Sequence, residues 1–440
     1  MNQEKIVAAI DIGTTKIVAM VGKKNKQGQL EILGVGKANS TGVKRGVVLN
    51  IEQTSNAIQL AAKEAQEKSG ISFKQVFVGI AGQHIKSIKN RAYKYITSSD
   101  NEITQADVDD LTQDMYKIPL EAGDEIIHVI PQTYVVDNEA GVKNPIGMFG
   151  KRLEANFHIV IGKAASAKNI KRCVERAGLN VISLMLEPIA SASAVLADDE
   201  KEAGVVLIDI GGGTTDLAVY LDGAIRHTAV IPYGGNVITT DIKEGCAILQ
   251  RHAETLKIKY GSALPEMASE NKVVTIPGIT GREPKEISFK SLAYIIQARA
   301  AEIIEAIMYE IENSGIIHKL SAGIVLTGGG ALLKHLPQFV KLHAGLDVRI
   351  GFPNKLLAGR VDEEMNQPIY STGIGLLLKG LEHMEDLQTT LDEKKKQETT
   401  SEQEEEEEEE KTEKSKKNRG RFIKKLENLF DIFDDKDTKM

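Results

Sequence analysis

The sequence predicts an α/β fold of two duplicated domains, with a small α+β insertion in each half, a disordered acidic linker and a C-terminal amphipathic helix. Three observations lead there. Ile10-Asp11-Ile12-Gly13-Thr14-Thr15-Lys16 returns about 200 residues later as Ile208-Asp209-Ile210-Gly211-Gly212-Gly213-Thr214-Thr215-Asp216, the same IDIG and TT separated by two added glycines. Apolar strand patterns flank both copies, and strands and helices recur in the same order after each. Beyond Glu385 the chain turns almost exclusively to Lys, Glu, Gln, Thr and Ser over residues 392–417, a composition that buries too little apolar surface to fold.

The first domain is expected over residues 1–84 and 163–198. IVAAIDIG, KIVAMVG and LEILGVG read as consecutive strands, with Gly28-Gln29 turning the last pair. IEQTSNAIQLAAKEAQEKSG places apolar residues at helical spacing and stops at Gly70, and VFVGIAG returns as a strand. Residues 85–162 read as the first insertion: Thr104, three positions before Asp107, starts a short helix, and HVIPQTYVV and FHIVIG are strands. Ser166 is expected to cap the helix AKNIKRCVERAG, which ends at Gly178. VISLML is a strand, and Glu187-Pro188 opens the helix IASASAVLAD, whose small residues permit close helix contact and a hinge.

The second domain is expected over 199–235 and 291–384, with an insertion at 236–290. VVLIDIGGGTTDLAVY reads strand, tight polar turn, strand. AIRHTAVIP, Gly234-Gly235 and two helical stretches follow, then a short hairpin (Val273 to Ile276 with Glu286 to Phe289) and a long helix from about Ser291 to Asn313. In GIVLTGGGALLKHLPQFV an apolar strand meets Gly328, Gly329 and Gly330 and then a helix, an arrangement that brings helix N-terminal amides and bare backbone beside a ligand. VRIGFP and the helix STGIGLLLKGL close the globular part.

The two turns carry the chemistry. Gly211, Gly212 and Gly213 let the backbone approach closely and turn successive N–H groups inward around a phosphate. Asp209, at the mouth of a buried strand, suits a hydrated magnesium ion. A single copy would be an ordinary glycine-containing turn; two matched copies, each with an acid at the strand end, point to nucleotide clamped between two domains.

Composition bounds the rest. The 440 residues are 42% hydrophobic and 27% charged, with a net charge of −7 distributed unevenly. Two cysteines, Cys173 and Cys246, make no disulfide framework and fit a reducing cytoplasm. The opening MNQEKIVAAIDIG has no basic region followed by a long apolar stretch, so no signal peptide is expected, and no apolar run reaches the roughly 20 residues that cross a bilayer.

The acidic linker is expected over 385–417, with Glu404 to Glu410 unbroken. After it, Lys414 to Lys425 carries seven positive charges and no acid. Residues 418–434 place Phe422, Ile423, Leu426, Leu429, Phe430 and Phe433 on one helical face, with Arg421, Lys424 and Lys425 beside them. Such a helix either packs back on the globular body or lies in an anionic membrane surface, and a short basic helix behind a long charged spacer gains more from lipid.

IDIGTTK, LIDIGGGTTD, EPIASASAV, LTGGGALL and STGIGLLL occur in the order of five motifs of the actin and heat-shock-chaperone ATPase superfamily, whose fold is ribonuclease H-like, across Ile6 to about Leu381. With the small insertion and the basic tail, the chain resembles the FtsA family, actin-like bacterial cell-division proteins. The resemblance implies ATP with Mg²⁺ between the domains. Asp11 and Asp209 would hold the hydrated metal; Gly13, Thr14, Thr15 and Lys16, with Gly211, Gly212, Gly213, Thr214 and Thr215, would hold the phosphates. Gly328 to Gly330 would sit by the adenosine, Glu254 and Lys257 would contact ribose or adenine, and Gly234 and Gly235 join this set. Glu187 falls where the chaperones keep an acid near the attacking water, and a Glu before Pro is also a normal helix start. The implied partners are a second copy in a filament, the FtsZ C-terminal peptide on about residues 236–300, and the cytoplasmic side of the inner membrane. A sugar or acetate kinase of the same superfold would need a base poised at an acceptor hydroxyl, and none is identified; a chaperone would need a substrate domain after residue 385. Actin-like scaffolds of the cell-shape or pilus-assembly type generally lack this tethered terminal helix. Any hydrolysis would be weak.

Overall fold

The internal repeat becomes two sheets with one wiring in the computed structural model, which describes residues 5–278, 283–353, 357–358 and 363–389. In the first half, β1 (Ile6–Ile12), β2 (Lys16–Lys24) and β3 (Leu30–Asn39) run antiparallel. A small hairpin, β4 (Val43–Lys44) and β5 (Val47–Val48), leads into α1 (Ile51–Ser69). The Asn50 side chain accepts the Gln53 N–H and Gly70 ends the helix in the left-handed region, as its sequence position foretold. Ala57, Ile58, Ala61, Ala62 and Ala65 form its buried stripe. β6 (Gln75–Ile80) then returns parallel to β1.

The inserted unit is a separate sheet. Its elements are β7 (Lys86–Tyr95), α2 (Gln105–Met115), β8 (Asp124–Val136), β9 (Glu139–Val142) and β10 (Arg152–Lys163), ordered β7-β10-β8-β9 around a core that includes Leu111, Leu153, Phe157 and Ile159. Thr104 and Asp107 form the reciprocal capping box at the start of α2. β7 carries no clear signal in KSIKNRAYKY, because most of this edge strand is exposed and polar residues occupy both faces.

The chain returns through α3 (Ala164–Arg176), β11 (Asn180–Leu186), α4 (Glu187–Val195) and α5 (Asp198–Ala203). Ser166 does not cap α3. The chain passes directly from β10 into the helix, Lys163 occupies the cap position with no side-chain bond, and the Ala164 N–H donates to the Gly123 carbonyl at 3.0 Å, leaving Ser166 inside the first turn. The helix read as IASASAVLAD ends at Val195, and a second short helix begins at Asp198.

In the second half, β12 (Val205–Ile210), β13 (Thr215–Leu221) and β14 (Ala224–Ile231) run antiparallel. α6 (Gly235–Cys246), α7 (Gln250–Tyr260), the hairpin β15 (Val273–Ile276) with β16 (Lys285–Ser288), and α8 (Phe289–Asn313) follow. α8 starts two residues before the expected Ser291 because Ser288 accepts the Ser291 N–H as its cap. β17 (Ile324–Thr327), α9 (Leu336–Ala344) and β18 (Val348–Ile350) complete the sheet. Its order, β14-β13-β12-β17-β18, matches β3-β2-β1-β6-β11 strand for strand, with the same parallel and antiparallel pairings. Residues 371–381 are helical, and a β-carbon on Gly375 would stand 1.8 Å from the Ala190 carbonyl oxygen. The small residues of α4 thus admit a tight helix crossing. The chain divides after Leu381; of the unit that follows, residues 382–389 are described and are helical. No described helix is long and apolar enough to cross a membrane. Most of the linker expected over 385–417 and all of the amphipathic segment expected over 418–434 lie outside the described residues.

Candidate functional site

Each turn lies where the first strand of its sheet, buried on both faces, runs out of partners. β1 and β12 are central strands, so Asp11 and Asp209, at the second-last position of each, are carried to the sheet edge by apolar runs that pack on either side. The two turns meet. A β-carbon on Gly212 would stand 2.4 Å from Thr15 Cγ2, and one on Gly213 would stand 2.4 Å from Thr14 Oγ1, so the absence of side chains lets the halves touch here. The backbone N–H groups of Gly212 and Gly213 donate to no protein acceptor among the described residues, whereas Gly211 and Gly212 carbonyls accept from Gly235 and Asn236 at 2.9 and 2.8 Å. The start of α6 is therefore fastened to the back of the second turn.

Two adjoining cavities open at this contact and share Thr15, Gly211, Gly212, Gly329 and Ile369. The polar one, of about 250 Å³, is walled by both turns and by Asp11, Asp209, Asp216 and Glu187. The apolar one, of about 330 Å³, lies between α7, α8 and the Gly329–Leu332 turn, with Ile238, Ile303 and Leu333 on its walls and Glu254 and Lys257 at its polar side. Lys257 Nζ donates to the Gly235 carbonyl at 2.9 Å and to Thr239 Oγ1 at 2.8 Å, and pairs with Glu254 at 2.8 Å.

The polar cavity is short of positive charge. Burial pushes the Asp11 carboxyl up to about 6; Lys16 opposes the rise and Asp209 adds to it. Burial also raises Asp209, offset by hydrogen bonds from Ser191 Oγ at 2.6 Å and Thr372 Oγ1 at 3.2 Å. Asp216 and Glu187 are raised well above the usual carboxylate range by burial and then by neighbouring carboxylates, Asp209 for Asp216 and Asp11 for Glu187. The buried Asp216 Oδ1 has no hydrogen-bond partner. No cluster of three or more His, Cys, Asp or Glu ligands occurs among the described residues. A carboxylate-rich, oxygen-only donor set with an orphaned oxygen fits a magnesium ion that keeps most of its waters.

The sites read from the sequence fall as follows. Asp11, Gly13 to Lys16, Glu187, Asp209, Gly211 to Thr214 and Gly328 line the polar cavity; Gly235, Glu254, Lys257 and Gly330 line the apolar one; Gly329 lines both. Thr215 points away, donating to the Tyr233 carbonyl at 2.8 Å, and Gly234 packs on the Gly211 and Thr214 carbonyls without lining either cavity. The glycine triplet does not lead straight into a helix. Gly329–Leu332 forms a 3₁₀ turn, and His335, left-handed at φ 62°, reorients the chain before α9 begins at Leu336, so the α9 amides are not beside the glycines. In the sequence Ser191 reads only as one of the small residues of IASASA that permit close helix contact, and Thr372 only as part of STGIG, so neither is expected at the site. A hydroxyl on a helix of small residues gives no signal until the fold brings it to a carboxylate. Phe422 to Phe433 and their basic neighbours lie outside the described residues.

Two family models match the chain: "Cell division protein FtsA" over residues 206–375 and "SHS2 domain inserted in FTSA" over residues 82–161. Cell division protein FtsA of Pseudomonas aeruginosa is 41% identical over 382 residues, covering 87% of this chain and 91% of the relative. FtsA of Escherichia coli K12 is 36% identical over 388 residues, with 87% and 91% covered. Among solved structures, the PilM-PilN type IV pilus biogenesis complex superposes with TM-score 0.63 at 14% identity, covering 85% of this chain and 98% of that one. MreB 5 of Spiroplasma citri bound to AMPPNP superposes with TM-score 0.52 at 16% identity, covering 89% and 99%. At these identities the structures speak for an actin-like fold and no further.

Proposed function

The chain belongs to the FtsA family of actin-like cell-division proteins, and from that premise we propose that it binds Mg·ATP between its two halves, self-assembles, and tethers the FtsZ ring to the cytoplasmic face of the inner membrane through its C-terminal segment. One observation carries the nucleotide reading: turns from two duplicated sheets meet at one cavity, each bringing a buried carboxylate. Asp11 and Asp209 would hold the hydrated metal, which would supply charge neutralisation for the phosphates. The unpartnered amides of Gly212 and Gly213, with Thr14, Thr15 and Lys16, would take the phosphates, and the apolar cavity beside Gly329 and Gly330 would take the base. Phosphates entering between turns that now touch would reset the angle between the halves and so bias assembly. Glu187 would sit near an attacking water, with slow hydrolysis at most.

The surface proposed for the FtsZ C-terminal peptide is formed by α6, α7, the β15–β16 hairpin and the start of α8. Met267 and Tyr294 are exposed there, and Tyr260 stacks on Phe289 at 5.0 Å, which gives an extended peptide apolar anchors. Titration of the full chain against a fluorescent FtsZ C-terminal peptide tests the tether. Saturable binding lost in Met267→Asp supports it, and no binding at any concentration removes it.

A further inference from the structure

Lys16, at the end of the first turn, lines the polar cavity, but its ammonium is bound to the cavity wall. Its Nζ donates to the Ile369 carbonyl at 2.9 Å and lies 4.3 Å from the centroid of the Tyr370 ring. The same ring takes Lys37 of β3 at 5.0 Å, although burial first, and the Lys37 charge with it, lower the Lys16 hold on its proton against the pull of Asp11. The Tyr370 hydroxyl donates to Glu364 Oε1 at 3.0 Å, and Lys37 pairs with the same carboxylate. One buried ring therefore links the first turn to an ion pair on the outer edge of the first sheet. The segment that carries it is tied to the rest of the site: the Pro368 carbonyl accepts from the Gly328 N–H at 3.3 Å, and Thr372 holds Asp209.

We propose that Tyr370 is a positioning residue that holds the Lys16 ammonium at the wall of the cavity until phosphate draws it across, and that its release signals occupancy through Lys37 and Glu364 to the outer edge of β3. This rests on the nucleotide reading above. A lysine has one ammonium to give, so the Ile369 carbonyl and the ring compete with a phosphate for it. Binding is weakened by whatever the ring contributes to the displaced position.

The sequence has no tryptophan, so Tyr370→Trp in the full chain places a single indole beside Lys16. Its emission should shift when Mg·ATP is added, and the shift should vanish when Lys16→Met is combined with it. Independently of that variant's folding, a fluorescent ATP analogue should bind Tyr370→Leu about three- to tenfold more tightly than the unaltered chain, since the ring no longer competes, whereas Tyr370→Phe, which keeps the ring, should stay within about twofold. Unchanged or weaker binding by Tyr370→Leu overturns the proposal, as does indole emission indifferent to bound nucleotide. Failure of the unaltered chain to bind the analogue would instead strike the nucleotide reading itself, and the proposal with it.

Discussion

Gly328 lies directly against the carboxylate of Asp209. A β-carbon there would stand 2.2 Å from Oδ1 and 2.6 Å from the Ile210 carbonyl oxygen, and the residue holds φ at +81°. Gly328→Ala must therefore both strain the backbone and push the acid that would face magnesium. Gly345 provides the control, since it has φ +65° with nothing within 4 Å of a β-carbon. Gly345→Ala should cost about 1 kcal/mol from the backbone alone, and Gly328→Ala about 2 kcal/mol or more. Only the second should weaken Mg·ATP, by at least about tenfold. Thermal unfolding and nucleotide titration of both variants check this.

Ser191 donates to Asp209 Oδ2 from inside α4, 2.6 Å away. Its removal leaves a buried carboxylate with Thr372 alone, and a hydrogen bond to a charged acceptor is worth about 1.5 to 3 kcal/mol. Ser191→Ala should lose stability in that range at pH 7.5 and less at pH 5.5, where Asp209 more readily carries a proton. Ser193→Ala, two residues along and bonded only to the Ile189 carbonyl of its own helix, should be within about 0.5 kcal/mol of the unaltered chain.

The turns, the duplicated strand order and both acids were legible because each is local: an apolar run, a charge at its end, glycines in between. α1 was legible for the same reason, with Gly70 at its end, whereas its Asn50 cap shows only in the fold. What the sequence hid is what the fold assembles. β7 could not be seen because an edge strand with polar residues on both faces has no period. Ser166 looked like a cap because a strand entering a helix without a turn leaves no mark in the residues. Thr372 and Ser191 are 181 residues apart and 3.0 Å apart in space, and Tyr370 meets Lys16 and Lys37 only through long-range packing. The triplet at Gly328 showed its flexibility, but not that its first member serves to clear the way for an aspartate.

The polar cavity sets a pH dependence. The folded Asp11 carboxyl, raised to about 6 from 3.8, keeps a proton that the unfolded chain has released. Stability without ligand therefore falls as pH rises from about 4 to 6, by about 3 kcal/mol from this residue alone. Asp209, Asp216 and Glu187 are displaced in the same direction, opposed at Asp209 by the Ser191 and Thr372 hydroxyls and by Lys16, and at Asp216 by the Thr214 hydroxyl. Asp11→Asn should flatten that fall. Magnesium would require the carboxylates as anions, so the rise in Tm on adding Mg·ATP should be larger at pH 7.5 than at pH 5.5. An equal rise at both would show that these acids do not meet the metal.

The membrane step rests on the sequence of 418–434. Six large apolar side chains, Phe422, Ile423, Leu426, Leu429, Phe430 and Phe433, are spaced so that a helix would carry them on one face. Each contributes about 1.5 to 3 kcal/mol when buried, and each nearby Lys or Arg about 1 kcal/mol against anionic lipid. A helix lies only partway into the interface, so half of that sum still gives reversible attachment. The run from Glu404 to Glu410 would be repelled by the same surface and so hold the globular part away from it. A chain ended after Glu385 should keep its Mg·ATP affinity and lose sedimentation with vesicles containing anionic lipid. Phe430→Asp in the full chain should reduce sedimentation severalfold, and raising the salt should weaken the unaltered chain's attachment without abolishing it. Equal sedimentation with and without the tail would rule out the tether and leave the nucleotide site untouched.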